Sequence, residues 1–126
     1  MTHIKPGQHG STYGGNPLGS QISMTALDVL FEEKMIENSE KLGRVFQKNL
    51  SDILGKDKVQ EIRGKGLFVG AEFKSNEFAY KFSSQLLHNG LIAKPTHKNI
   101  IRFSPPLVIT EKEIEESCSI IEKSWK

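Results

Sequence analysis

The sequence has little that would place it in a membrane, in an oxidising compartment or on nucleic acid. Its 126 residues include one cysteine, Cys118, so no internal disulfide can form and a reducing compartment is expected. No apolar run is long enough to cross a bilayer, and no signal-peptide pattern is present. The net charge of +2 is too small to indicate nucleic acid or a membrane surface as a partner. We therefore expect a cytoplasmic protein, or alternatively one of the mitochondrial matrix, whose targeting segment would precede residue 1.

Patterns for metal binding and nucleophilic catalysis are also missing. His9, His88 and His97 do not have the spacing of zinc ligands, so no metal site is predicted. No Ser/His/Asp order and no paired carboxylates stand out. Cys118 lies on an apolar helical stripe, which predicts an unreactive core thiol.

Residues 9–18, HGSTYGGNPL, form a hydroxyl-bearing, glycine-rich loop that leads into an amphipathic helix. Asn16 is a favourable N-cap residue, and Pro17 suits the first helical position. Ser11 and Thr12 bring hydroxyls to the positive end of the helix dipole. The pattern predicts an anion site, best suited to a phosphate, although it is neither a P-loop nor a dinucleotide fingerprint. The alternative is a turn that only begins the helix.

Apolar spacing and capping residues predict a small mixed fold. The first helix has an apolar stripe that includes Leu18, Ile22 and Val29, and this stripe should be buried although no partner for it is obvious. Thr110 and Glu113 form a capping box. After about residue 36 the order of elements indicates an α+β unit with a mostly antiparallel sheet. In chain order we expect helices over 17–34 and 36–54, a strand over 59–62, a turn or bulge over 63–66, a strand over 67–74, a helix over 76–88, strands over 91–94 and 100–103, and a helix from 110. Asn76 is the expected cap of the third helix.

Arg102 is a candidate for binding a carboxylate. It lies between Ile101 and Phe103 in a predicted strand, so its side chain should project to the face opposite theirs. A guanidinium binds a carboxylate through two hydrogen bonds and keeps its charge at any working pH. The alternative is an edge-strand arginine that pairs with a surface glutamate. Arg63 and Lys65 flank a glycine and are expected in a solvated turn, with an anion contact as the second reading.

Two separated stretches, taken together, resemble the class III, pyridoxal-phosphate-dependent aminotransferases. Residues 9–19, HGSTYGGNPLG, are similar to a loop of this family. Residues 90–97, GLIAKPTH, and 100–107, IIRFSPPL, are similar to the C-terminal segment of the members that act on ornithine. Residues 63–67, RGKGL, resemble the strand turn between them. The resemblance covers essentially the whole chain.

The resemblance implies the C-terminal part of a fold type I enzyme. Such an enzyme has a large α/β domain with a mostly parallel sheet that holds the cofactor, and a small C-terminal domain. Residues 1–35 would end the large domain with the phosphate loop and a long helix, and residues 36–126 would form the small α+β domain. The unexplained apolar stripe of the first helix would then pack on upstream residues.

The resemblance also implies a reaction. The whole enzyme would pass the δ-amino group of L-ornithine through pyridoxal phosphate to 2-oxoglutarate, giving glutamate-5-semialdehyde and glutamate, a step between arginine metabolism and proline biosynthesis. Thr12, with Ser11 beside it, matches the position that binds the cofactor phosphate of the neighbouring subunit in a homodimer. Arg102 matches the arginine that binds the α-carboxylate of the substrate, or that of 2-oxoglutarate in the second half-reaction.

Parts of the family's machinery have no counterpart in this sequence. Its Schiff-base lysine and the aspartate on the pyridine nitrogen lie upstream, and neither Lys5 nor Lys94 matches the lysine. No catalytic residue is therefore assigned here, and the chain alone is expected to be inactive. The alternatives are an acetylornithine or 4-aminobutyrate aminotransferase, or a stand-alone phosphate-binding or interaction module.

Overall fold

The computed structural model describes residues 3–125 and divides the chain into two compact units, Met1–Lys34 and Met35–Lys126. None of the helices it describes is both long and apolar enough to cross a membrane. The elements in chain order are α1 (Pro17–Glu32), α2 (Met35–Leu54), β1 (Val59–Lys65), β2 (Phe68–Phe73), α3 (Asn76–His88), β3 (Lys94–Thr96), β4 (Ile100–Phe103) and α4 (Glu111–Trp125).

The first unit consists of the glycine-rich loop and α1. Asn16 Oδ1 accepts a hydrogen bond from Gly19 N at 2.7 Å, which confirms the predicted N-cap. No residue of α1 is buried: Leu18 is 71% exposed and Ile22 is 60% exposed, while Val29 is half-buried. The prediction of a buried stripe is therefore wrong for the residues described.

The second unit is built on a four-stranded antiparallel sheet with the strand order β1-β2-β4-β3. Along β2, Val69, Ala71 and Phe73 are buried, whereas Phe68 and Gly70 point to the other face. The sheet and the three helices of this unit confirm the predicted α+β architecture.

Helices α2 and α3 pack on the buried face of the sheet, and α4 packs on both helices. Helix α2 contacts β1 and β2, and α3 contacts β2, β3 and β4. Helix α4 begins at the predicted capping box, where Glu113 N donates to Thr110 Oγ1 and Thr110 N donates to Glu113 Oε2. The second of these bonds helps to hold the pKa of Glu113 below its ordinary value. The largest fully buried side chains are Phe73, Phe82, Leu42, Leu50, Leu54, Leu67, Leu86, Ile101, Ile114, Ile121 and Val69.

Helix α2 and the β1–β2 turn approach each other backbone to backbone. A Cβ atom added at Gly43 would lie 2.2 Å from the carbonyl carbon of Gly66, and Gly66 itself has a φ of +56°. Ser39 Oγ accepts a hydrogen bond from Leu67 N, and Gln47 Nε2 donates one to Gly66 O, both at 3.2 Å. Ser39, Gly43 and Gln47 follow each other at intervals of four residues along α2. Together they hold the β1–β2 turn against the helix.

The predicted turn or bulge over 63–66 is wrong for its first three residues. Residues 63–65 continue β1, because Arg63 pairs with Gly70 and Lys65 pairs with Phe68 on β2. The chain reverses only at Gly66 and Leu67. A glycine-rich stretch thus remains a strand where a neighbouring strand supplies its hydrogen bonds.

Two further boundaries differ from the prediction. Helix α3 is capped by Ser75 rather than Asn76, since Ser75 Oγ accepts a hydrogen bond from Phe78 N at 3.3 Å. The third strand is Lys94–Thr96 rather than 91–94. Leu91 N instead donates to Leu86 O at 2.8 Å, so it closes the C-terminus of α3 in a Schellman arrangement and is not available to a strand.

The contact between α2 and the turn gives a test of the fold. Gly43→Ala should lower the free energy of unfolding by about 1–3 kcal/mol, because the added methyl group pushes the turn away from the helix. This is expected even though alanine is the better helix former. Chemical denaturation of the full chain measures the effect, with Lys48→Ala at an exposed position of α2 as the control. A Gly43→Ala variant as stable as the parent would contradict the contact.

Candidate functional site

Arg102 stands in a row of residues that crosses the outer face of the sheet. The strand register places Gly70 of β2 opposite Arg102 on one side and Lys94 of β3 opposite it on the other. Its neighbours Ile101 and Phe103 are buried, while Arg102 is half-buried. The prediction that its side chain lies on the face opposite theirs is confirmed.

A cavity of about 390 Å³ opens on this face. Its floor includes Gly70, which leaves space above β2 because it has no side chain. A Cβ at this position would meet only Ile100 Cγ2, at 3.6 Å, and Arg63 O, at 3.9 Å. The residues that line the cavity are Arg63, Gly64, Lys65, Phe68, Gly70, Thr96, His97, Ile100 and Arg102.

The Arg102 guanidinium has no anionic partner among residues 3–125. Its Nε is buried and makes no hydrogen bond, and no carboxylate of the described residues forms an ion pair with it. Its Cζ lies 5.5 Å from the centre of the Phe68 ring. The expected alternative, pairing with a surface glutamate, is not found. A charged donor without a partner at the wall of a cavity is suited to an anionic ligand.

Arg63 lines the same cavity but has carboxylate partners. Its Nη1 lies 2.7 Å from Glu61 Oε2 and 2.7 Å from Glu72 Oε2. The hydrogen bond that Arg63 donates to Glu72, with the charge of Glu61, raises the pKa of Arg63 above its ordinary value. Of the two arginines at this cavity, Arg102 is therefore the one whose charge is available.

The predicted phosphate loop lies in the first unit. Gly14 N donates to Ser11 O, and Asn16 Nδ2 donates to Tyr13 O, so the loop is folded into tight turns. Ser11 and Thr12 are exposed, and their side chains make no hydrogen bond within residues 3–125. The side chain of Asn16 already occupies an N–H of the first turn of α1. Any anion bound here would therefore depend mainly on the two hydroxyls rather than on the end of the helix.

Of the other residues considered from the sequence, His97 lies at the cavity and Cys118 lies in the core. His97 lines the cavity from the turn between β3 and β4. Cys118 is buried, as predicted, and burial raises the pKa of its thiol while Asn49 Nδ2 approaches Sγ at 3.7 Å. Sequence reasoning missed Phe68 and Gly70. Their alternation was visible, but only the pairing of β2 with β4 places them beside Arg102.

Comparison with known proteins identifies the family. The family described as Aminotransferase class-III matches residues 1–124. This chain belongs to the class III aminotransferases. Its relatives include mitochondrial ornithine aminotransferases of Drosophila melanogaster, 52% identical over 98% of this chain, and of Rattus norvegicus, 51% identical over 98%. An ornithine aminotransferase of Staphylococcus carnosus is 48% identical over 94%. The chain covers 28% of the length of the first two relatives and 29% of the third.

Solved structures of class III aminotransferases show the same fold. An acetylornithine aminotransferase from Elizabethkingia anophelis matches 96% of this chain and 33% of its own, with a TM-score of 0.84 and 47% identity. An ornithine aminotransferase from Plasmodium yoelii matches 99% and 34%, also with a TM-score of 0.84 and 47% identity. A third, from Toxoplasma gondii, is 42% identical with a TM-score of 0.84 over 96% of this chain and 29% of its own, and is described with pyridoxal phosphate at its active site.

Class III aminotransferases depend on pyridoxal phosphate, and this chain offers groups that suit the phosphate of that cofactor. The side chains of Ser11 and Thr12 are exposed and have no hydrogen-bond partner within residues 3–125. Hydroxyl groups donate readily to phosphate oxygens. The loop of this class III aminotransferase chain therefore fits the phosphate end of the cofactor.

Proposed function

We propose that this chain is part of an ornithine aminotransferase and supplies the arginine that binds the substrate carboxylate. The whole enzyme moves the δ-amino group of L-ornithine to 2-oxoglutarate and yields glutamate-5-semialdehyde and glutamate. The observation that carries the proposal is the unpartnered Nε of Arg102 at a cavity opposite Gly70. Both L-ornithine and 2-oxoglutarate carry a carboxylate that a free guanidinium can bind through two hydrogen bonds.

Acetylornithine is the alternative substrate. The acetylornithine aminotransferase named above and the Plasmodium enzyme match this chain with the same TM-score and the same identity. Acetylornithine and ornithine have the same α-carboxylate, so the role proposed for Arg102 holds for either. The two differ at the α-amino group beside that carboxylate, which is free in ornithine and acetylated in acetylornithine, so other groups near the carboxylate must distinguish them. The names of the curated relatives support ornithine.

Pyridoxal phosphate supplies the electron sink of the reaction when it is bound. In this proposal the chain contributes binding and orientation: Arg102 holds the carboxylate of the amino acid or keto acid, and Thr12, with Ser11, donates hydrogen bonds to the cofactor phosphate. Thr12 makes this contact with the cofactor of the neighbouring subunit in a homodimer. The Schiff-base lysine is not among the residues of this chain, so a longer chain must supply it.

We further propose that residues 1–35 end the large domain and residues 36–126 form the small domain of the enzyme. The exposed apolar side chains of α1 support this division, because a helix with such a stripe is normally covered. We place the enzyme in the cytoplasm, with the mitochondrial matrix as the alternative. The relatives include mitochondrial enzymes and one from a bacterium.

The role of Arg102 is tested in the full-length enzyme. Arg102→Gln should raise the KM for L-ornithine and for 2-oxoglutarate by about 10- to 150-fold, as expected for the loss of a charge-assisted pair worth about 1.5–3 kcal/mol. Arg44→Gln is the matched control, since Arg44 is exposed on α2 and pairs with Glu40. Steady-state kinetics with each substrate varied in turn give the answer. Unchanged KM values for both substrates would remove Arg102 from the site.

The role of Thr12 is tested through cofactor affinity. Thr12→Val removes the hydroxyl and should weaken the binding of pyridoxal phosphate to the full-length apoenzyme by about tenfold, whereas Thr12→Ser should restore it. Titration with pyridoxal phosphate, followed by absorbance, measures the dissociation constant. Thr25→Val is the control, because Thr25 is exposed on α1 and bonds only its own helix. A Thr12→Val enzyme that binds the cofactor as tightly as the parent would contradict the contact.

Residues 1–126 alone should not catalyse transamination, because no lysine among them is assigned to the cofactor. The purified chain, supplied with pyridoxal phosphate, L-ornithine and 2-oxoglutarate, should form no glutamate above a protein-free blank. Full-length enzyme assayed in parallel serves as the positive control. Turnover by the isolated chain would favour a complete catalytic unit and would require another lysine role, with Lys5 and Lys94 as the first to examine.

A further inference from the structure

Phe68 is a large apolar side chain that the core does not use. It lies on β2, is 59% exposed and faces the cavity side of the sheet. The aromatic cluster of the second unit, which includes Phe73, Phe82 and Trp125, lies on the buried face instead. The ring of Phe68 contacts the guanidinium of Arg102, whose Cζ lies 5.5 Å from the ring centre. Among residues 3–125, Phe68 therefore serves the cavity wall and Arg102 rather than the core.

The guanidinium of Arg102 needs something to orient it, and no polar group among residues 3–125 does so through Nε or an ion pair. Glu72, the nearest acidic group along β2, is engaged by Arg63. The face of an aromatic ring attracts a guanidinium and stacks with its plane. This contact leaves the N–H donors at the edge of the guanidinium free, whereas a carboxylate partner would occupy them and compete with a ligand.

We propose that Phe68 is a positioning residue that holds the Arg102 guanidinium in the orientation that receives a substrate carboxylate. The inference rests on the proposed function of Arg102 and adds to it the group that aims the arginine. Phe68 acts through the face of its ring, so an aliphatic side chain of similar size does not replace it.

Affinity for an unreactive carboxylate is the direct test. Glutarate is titrated calorimetrically into the full-length enzyme and into its Phe68→Leu, Phe68→Tyr and Arg102→Gln variants. Phe68→Leu keeps an apolar side chain but lacks the ring, and should weaken glutarate binding by about two- to fivefold. The same variant should raise the KM for 2-oxoglutarate by a similar factor and leave kcat nearly unchanged. Phe68→Tyr keeps the ring and should bind as the parent does.

Two controls separate positioning from other roles. Tyr80→Leu removes an aromatic ring of equal exposure, 59%, from α3 and should have no effect. Phe68→Leu introduced into the Arg102→Gln enzyme should cause no additional loss, because the role of Phe68 is exerted through the arginine. A further loss in that background would mean that Phe68 contacts the ligand directly and would overturn the proposal.

Two other binding results would overturn the positioning role of Phe68. If Phe68→Leu binds glutarate as the parent does, or if Phe68→Tyr is as weak as Phe68→Leu, the ring does not position the arginine. In either case a large loss in Arg102→Gln would leave the proposed function intact. If Arg102→Gln binds glutarate normally, the carboxylate role of Arg102 fails, and the positioning role of Phe68 fails with it.

Discussion

The backbone contact between α2 and the β1–β2 turn is the constraint on which the cavity depends. Gly43 lets the helix approach Gly66, while Ser39 and Gln47 bond the two sides of the turn. A turn held at this point determines how β1 and β2 pair, and that pairing sets Arg63 opposite Gly70. The antiparallel pairing of β2 with β4 then brings Arg102 to the same row. A helix on the buried face thus decides which side chains meet on the outer face.

The two arginines on the outer face of the sheet differ in their partners. Glu61 and Glu72 both approach Arg63, so the charge of this arginine is compensated by neighbouring carboxylates. Arg102, two strands away, receives neither carboxylate and borders an aromatic ring and a glycine instead. Because a guanidinium is charged at any working pH, the difference lies in the partners rather than in protonation. Arg102 therefore places an unpaired guanidinium at a defined point of the cavity wall, which Lys65 also lines.

Local patterns in the sequence accounted for much of the fold but for less of the site. Helical periodicity, the capping box at Thr110 and the alternation along β2 depend on neighbours in the chain, and these predictions are confirmed. The turn predicted over 63–66 and the third strand were misplaced, since cross-strand pairing and a helix C-cap decide them. The face occupied by Arg102 follows from alternation alone. Its contact with Phe68 requires the register of two strands that are not adjacent in sequence. The phosphate role of Thr12 stays a prediction.

A buried donor without a partner also affects the protein when no substrate is present. The Nε of Arg102 is buried without a hydrogen bond, which slightly lowers the stability of the folded state. A small carboxylate that binds at this arginine binds the folded chain and not the unfolded one, so it would shift the folding equilibrium by mass action. The stability of this protein is therefore expected to depend on the anion of its buffer, and acetate or formate is not an inert choice beside chloride.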